Sequence, residues 1–177
     1  MKFTIQITQA DDSDVSDVMK VVRACTEAMR LAKIFQWDDI YPNEVQLKED
    51  SKVGSLYVVR KADICLGAAS FNENQEDVYQ QIEWQGSDPV LVVHRLCVAP
   101  SFQGQGIAKQ LMSFCEKMAL KQGYASIRLD AYSGNPKAVG LYERLGYQKV
   151  GSVTFPRRDL PFFCFEKILT ERGKKYG

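Results

Sequence analysis

The spacing of apolar residues changes several times along the chain, and each change marks an element. Lys2 to Thr8 alternates, with Phe3, Ile5 and Ile7 on one face, which predicts a first strand. The acidic cluster Asp11, Asp12, Ser13, Asp14 then offers capping oxygens and negative charge where a helix begins. Val15, Val18, Val22, Cys25 and Met29 recur at intervals of three and four, so an amphipathic helix is expected over residues 14–31. Asn43 and Gln46 resemble a capping box for a short helix through Asp50. Leu56 to Val59 and Ile64 to Ser70 flank Arg60, Lys61, Ala62 and Asp63, which is the signal of a hairpin.

The polar segment Asn72 to Pro89 holds Tyr79, Ile82 and Trp84, consistent with one amphipathic turn resting on the surface. Val90 to Val98 is apolar except for His94 and Arg95, as a central strand covered on both faces would be, and Pro100 closes it. From Gln103 the period becomes helical, with Ile107, Leu111, Met112, Cys115, Met118 and Ala119 as the buried stripe and Gly123 as the stop. Ile127 to Ala131 reads as a strand, Pro136 to Leu145 as a helix followed by Gly146, and Tyr147 to Val150 and Phe162 to Ile168 as the last two strands. The order is that of an α/β sandwich with a mixed sheet, helices on both faces and no internal repeat.

With 177 residues the chain fits a single domain, 1–177, able to build a core without covalent staples. Lys plus Arg number 23 against 22 Asp plus Glu, so the field of a nucleic-acid binder is not expected and any anion site must be local. The five cysteines are odd in number and scattered in apolar runs, and they read as reduced residues of a cytoplasmic protein. No CxxC pair occurs and there is one histidine, so no metal site is expected. The N-terminal stretch lacks the apolar core of a signal peptide, and no run approaches the ~20 apolar residues of a membrane span, so a cytosolic location without membrane contact is expected.

Arg95 to Ala108 carries the chemistry: a buried strand ends, the chain turns, and a long helix starts among Gly104, Gly106 and Ala108. First-turn amides have no intrahelical acceptors, and small residues leave them accessible to a pyrophosphate at the positive end of the helix. Close helix packing or a flexible start would also explain the glycines. The spacing is neither Gly-x-Gly-x-x-Gly nor a P-loop.

The segment resembles the signature of the GCN5-related N-acetyltransferase superfamily, Arg/Gln-x-x-Gly-x-Gly/Ala, matched by Gln103, Gly106 and Ala108. Asn135 to Tyr147 is similar to that family's C-terminal Asn-x-x-Ala-x-x-Leu-Tyr-x-x-x-Gly-Phe/Tyr segment, and the two motifs span about residues 91–152. The resemblance implies the GNAT fold, a central mixed twisted sheet with helices on both faces, and acetyl-CoA as cofactor. It implies that the backbone of Gln103, Gly104, Gln105, Gly106, Ile107 and Ala108 cradles the pyrophosphate, that Cys97 and Val98 pair with the pantetheine arm, and that Asn135 contacts the cofactor. Tyr142 would stand near the sulfur as general acid. Without the motif it would read as a core aromatic.

Direct transfer needs a neutral amine, so a group must take its proton. His94, the lone histidine, has an unperturbed pKa near 6.5 and is a workable base; a hydrogen-bonded structural histidine is the other reading. Many family members use a glutamate on this strand, absent here, whereas arylalkylamine acetyltransferases have a histidine that looks equivalent. Simple alternation puts His94, Leu96 and Val98 on one side and Arg95 and Cys97 on the other, before any bulge. That separation argues against an acetyl-cysteine route through Cys97.

The connector with Phe35, Trp37, Asp38 and Tyr41, together with Phe71 and Glu73, is the expected acceptor wall, with Asp38 or Glu73 drawing the ammonium; simple packing would explain the aromatic residues equally. The expected acceptor is a small-molecule amine or a protein N-terminus, and the chain a monomer or homodimer. The alternative is a non-catalytic acyl-CoA-binding or protein-interaction module of the same fold.

Overall fold

The computed structural model describes residues 4–169, and Lys2 and Phe3 of the expected first strand lie outside them. The strands are β1 (Gln6–Gln9), β2 (Leu56–Lys61), β3 (Ile64–Asn72), β4 (Val90–Val98), β5 (Ser126–Tyr132), β6 (Gln148–Val153) and β7 (Phe162–Ile168). The helices are α1 (Val15–Leu31), α2 (Glu44–Lys52), α3 (Ile107–Lys121) and α4 (Pro136–Arg144). Their order is the one the hydrophobic pattern predicts. The seven strands form one sheet in the order β1-β2-β3-β4-β5-β7-β6. Neighbours are antiparallel except for β4 and β5.

Alternation along the central strands sends successive side chains into two layers. Leu91, Val93, Leu66, Ala69 and Phe71 pack with Ile107, Leu111 and Cys115 of α3 and Tyr142 of α4. Ala68 and Cys97 face Val15, Val18, Val22 and Cys25 of α1 and Leu47 of α2. Val90 and Val92, on the α1 side, are covered by Tyr79 from a short 3-10 turn, Asp77–Gln81. Glu166 accepts from the amides of Gln85 and Gly86 and pairs with Arg128, whose guanidinium lies 4.4 Å above Trp84, so the polar segment is clamped to the sheet.

Three of the differences from the sequence reading have a plain local cause. The long helix begins at Ile107, not Gln103, because Gly104 and Gly106 adopt left-handed backbone (φ +76° and +81°) and Gly106 is the N-cap. The sixth strand runs Gln148–Val153, extended by pairing with β7. Asn43 caps the Gln46 amide of α2, but Gln46 turns to Asp50, leaving the reciprocal half of the box unmade.

Two features of β4 position the site. It pairs with β5 only through Val90, Leu91 and Val92, so the strands part from Val93 onward and open a cleft in mid-sheet. Against β3, Ala68 and Ser70 face Cys97 and His94, so Ala69 alone stands opposite Arg95 and Leu96, which is a bulge with Arg95 at φ +54°. The bulge corrects the simple alternation: His94 shares the face of its partner Ser70, which is the α1–α2 face that also takes Cys97.

Candidate active site

Past Gln103, the chain presents the amides of residues 104–109 with no protein acceptor among the described residues, since the first bond of α3 runs from the Gln110 amide to Gly106. Gly104, Gln105 and Gly106 are exposed, and a Cβ added to either glycine would meet nothing within 4 Å. The glycines therefore serve the left-handed backbone that fans these amides outward. Gln103 ties the turn to β4, its Nε2 donating to the Val98 carbonyl at 3.0 Å. Cys25 Sγ also donates to that carbonyl. The Cys97 side chain is buried, and the neighbouring Cys25 thiol and burial push its pKa well up, which keeps it a thiol.

Tyr142 projects from α4 beneath the cleft, against Tyr147 and Phe165 at ring separations of 6.0 Å. Burial and the charge of Asp130 raise its pKa, so the phenol keeps its proton. Its hydroxyl has no hydrogen-bond partner among the described residues and is not sealed from solvent. Asn135 is spent locally: Oδ1 caps the Ala138 amide and Nδ2 donates to Gln36 Oε1, joining α4 to the connector after α1.

His94 Nε2 lies 2.9 Å from Asn72 Oδ1. That oxygen also accepts from the Asn74 amide, so the imidazole must donate through Nε2. Burial, then the nearby Arg95 charge, lowers the His94 pKa to about 4, so the ring is neutral at pH 7. Arg95, from the bulge, pairs with Asp50 of α2 at 2.6 Å and donates to Tyr41 Oη, while Ser70 Oγ donates to the same Asp50 oxygen. Both charged side chains are nearly buried, at 7% and 5% exposure. The bulge is thus pinned from the opposite layer. Neither the pair nor the bulge was read from the sequence; two polar residues interrupting an apolar strand were the only signal.

Three connector residues of the expected acceptor wall line a cavity. A cavity of about 390 Å³ lies between Phe35, Trp37 and Asp38 on one side and Arg157 and Arg158 on the other, with Arg30 at its rim. Asp38 is not free to draw an ammonium. Its Oδ1 takes the amides of Ile40 and Tyr41, and its Oδ2 takes Arg158 at 2.9 Å and Arg157 at 3.3 Å. Burial works to raise its pKa, but these donors outweigh it and hold the carboxyl well below the ordinary range. Phe71 and Glu73 depart from the expected wall. Phe71 lies in the α3 layer, 5.4 Å from Tyr57, because its position in β3 has the opposite parity to Ser70; Glu73 accepts from Tyr124.

One acidic residue went unread in the sequence. Asp130 stands on β5 two residues past the last β4 pairing, on the α1–α2 face, and Tyr79 Oη donates to its Oδ2 at 2.6 Å. Burial raises its pKa to about 6, although the Tyr79 hydrogen bond pulls the other way. The interruption of the apolar strand Ile127 to Ala131 by Arg128 and Asp130 could have flagged it.

The outward-facing amides ahead of α3, with no acceptor among the described residues and lying beside the parting of β4 and β5, have the chemistry of an anion site. Comparison with known proteins agrees: the model of the Acetyltransferase (GNAT) family matches residues 22–147, and the chain belongs to that family. An acetyltransferase of Pectobacterium atrosepticum is 38% identical over 63 residues, 36% of this chain and 45% of that protein, so the chain spans less than half the length of that relative. The thialysine N-epsilon-acetyltransferase of Mus musculus is 25% identical over 154 residues, 81% of this chain and 84% of its own. Among solved structures, a GNAT family acetyltransferase from Streptococcus agalactiae has a TM-score of 0.74 at 23% identity, covering 94% and 96% of the two chains. The Salmonella typhimurium protein yncA, solved with its cofactor acetyl-CoA, has a TM-score of 0.70 at 18% identity, covering 95% of each.

Proposed function

We propose that this chain transfers the acetyl group of acetyl-CoA directly to the amine of a small molecule. The observation that carries the reading is the conjunction of the acceptor-free amides of residues 104–109 with the parting of β4 and β5 beside them. Those amides, on left-handed glycines at the head of a 15-residue helix, suit the pyrophosphate, and the unpaired stretch of β4 past Val93 suits the amide-bearing arm. When bound, the cosubstrate supplies the acetyl group as a thioester, and transfer forms one C–N bond, breaks one C–S bond and leaves a free thiol and a proton.

The protein's own part is placement and proton management. Tyr142 holds a proton at an oxygen with no competing protein partner, as a donor to a departing thiolate should. Cys97, kept as a buried thiol, offers no nucleophile, which supports transfer without an acetyl-cysteine. The amine enters from the α1–α2 face, where the cavity of Phe35 and Trp37 opens, and an acceptor of small-molecule size fits its volume. Arg158, donating to the Gln36 carbonyl and to Asp38, fixes the two loops that frame that cavity. The relationship to the mouse thialysine enzyme supports a small-molecule amine over a protein N-terminus.

The test is an acetyl-transfer screen over aliphatic, aromatic and amino-acid amines, reading thiol release. Turnover on at least one small amine is expected. Cofactor binding without transfer to any amine would replace this reading with a non-catalytic acyl-CoA-binding role.

A further inference from the structure

Resting on the acetyl-transfer reading above, we infer that Asp130 is the group that takes the proton from the acceptor's ammonium, in place of His94. The position is the first argument. Val92 and Arg128 are the last paired residues of β4 and β5, so Asp130 stands at the vertex of the cleft, on the face from which the amine arrives. Its two oxygens are unlike. Tyr79 donates to Oδ2, whereas Oδ1 has no hydrogen-bond partner among the described residues and is not sealed off from solvent. A carboxylate held by one oxygen and open at the other is oriented to accept a proton.

The surroundings agree. The groups around Asp130 are Tyr79 and Glu76 from the segment over the sheet, Tyr41 from the connector, Tyr142 from α4 and Cys164 from β7. None of these is a cation, and the one charged neighbour, Glu76, is acidic. The cations beyond them are Arg95, bonded to Tyr41 Oη, and Arg128, two residues along β5, and they are engaged by Asp50 and Glu166, so the carboxylate and Glu76 are left to attract an incoming ammonium. Asp130 also acts on the Tyr142 phenol through its charge, so the proton acceptor and the proposed proton donor belong to one cluster on either side of the sheet.

His94 is less suited to the task. Its Nε2 proton is committed to Asn72, and a ring whose pKa is lowered to about 4 binds a proton roughly a hundredfold more weakly than a carboxyl raised to about 6. The step itself is a single proton transfer. The ammonium N–H bond breaks, the proton bonds to Oδ1, and the electron pair stays on nitrogen for attack; the acid then returns its proton to water through the same open oxygen.

The experiment combines a measurement on the free protein with one on turnover. In protein labelled with 13C at aspartate carboxyls, one resonance should titrate near pH 6, vanish in Asp130→Asn and move upward in Tyr79→Phe, which removes the hydrogen bond that lowers it. In kcat/KM against pH, the parent's acid limb should fall at the same value, move up in Tyr79→Phe and disappear in Asp130→Asn. In Asp130→Asn at pH 7, kcat/KM should drop by about 10²-fold with acetyl-CoA affinity kept, the loss shrinking as pH approaches the amine's own pKa. Asparagine preserves an acceptor for Tyr79, so a merely structural role would leave the rate and limb unchanged. The inference is overturned if the carboxyl titrates in the ordinary range, or if the acid limb survives Asp130→Asn or fails to move in Tyr79→Phe. Loss of transfer in the parent itself would instead overturn the reading on which it rests.

Discussion

Individual side chains here trade stability for chemistry. Asp130 is the clearest case. Its folded pKa, about 6, lies above the ordinary 3.8, so the native state favours its protonated form. That contribution is fully present below the unfolded value and is lost as pH rises through about 6, leaving burial of the carboxylate to oppose folding by about 3 kcal/mol at pH 7 and above. Asp130→Asn should accordingly raise the melting temperature at pH 8 and have little effect near pH 4, as thermal unfolding at the two pH values will show. His94 has the opposite sign. Its pKa is lowered to about 4, so its contribution is present above the unfolded value near 6.5 and lost as pH falls through 4. Tyr142→Phe should lower kcat by about 10²-fold while calorimetry finds acetyl-CoA affinity unchanged, because the phenol oxygen makes no hydrogen bond among the described residues.

At the scale of elements, the bulge in β4 matters most. Arg95 adopts φ +54°, a costly conformation for a residue with a side chain, and is held there by Asp50 across the layers. Removing one member of a buried pair strands the other charge, so Asp50→Ala should destabilise the fold by about 3–5 kcal/mol in urea unfolding. The sequence disclosed the elements better than their couplings. The valines of α1 and the stripe of α3 have a period that burial itself imposes, so those helices were legible. The bulge was not, because it depends on a partner 45 residues away, and simple alternation therefore set His94 and Cys97 on opposite sides where the bulge puts them on one. Asp130 was missed for a related reason: its meaning comes from where β4 and β5 separate, which no local pattern encodes. Phe71 and Glu73 were grouped with the acceptor wall by proximity in sequence, whereas strand parity sends Phe71 into the α3 layer and Tyr124 takes Glu73. The turn ahead of α3 was legible because its requirement is local, two left-handed glycines before a helix.

Across the whole molecule, the two layers divide the work. In the proposed reaction the α3–α4 layer supplies the amide cradle and the Tyr142 proton, while the α1–α2 layer, with the loop carrying Arg157 and Arg158, frames the acceptor cavity. The sheet separates the two layers except where β4 and β5 part, so the proposed transfer is confined to the cleft. Among the described residues no helix is long and apolar enough to cross a membrane. Arg158, 7% exposed and bonded to both Gln36 and Asp38, joins the two sides of the cavity. Arg158→Ala should therefore raise the acceptor KM several-fold or more while leaving acetyl-CoA affinity unchanged, measured by steady-state kinetics and calorimetry.

The central claim is that the unpaired amides of residues 104–109 hold acetyl-CoA. It is tested most directly by calorimetric titration of acetyl-CoA into the parent protein and into Gly106→Val. At φ +81° the valine strains the left-handed N-cap and sets a branched side chain beside the amides, without meeting any neighbouring atom within 4 Å at its Cβ. Binding by the parent, weakened at least tenfold in a folded variant, is the predicted result. Absence of binding to the parent, or equal affinity in the two proteins, would contradict the account.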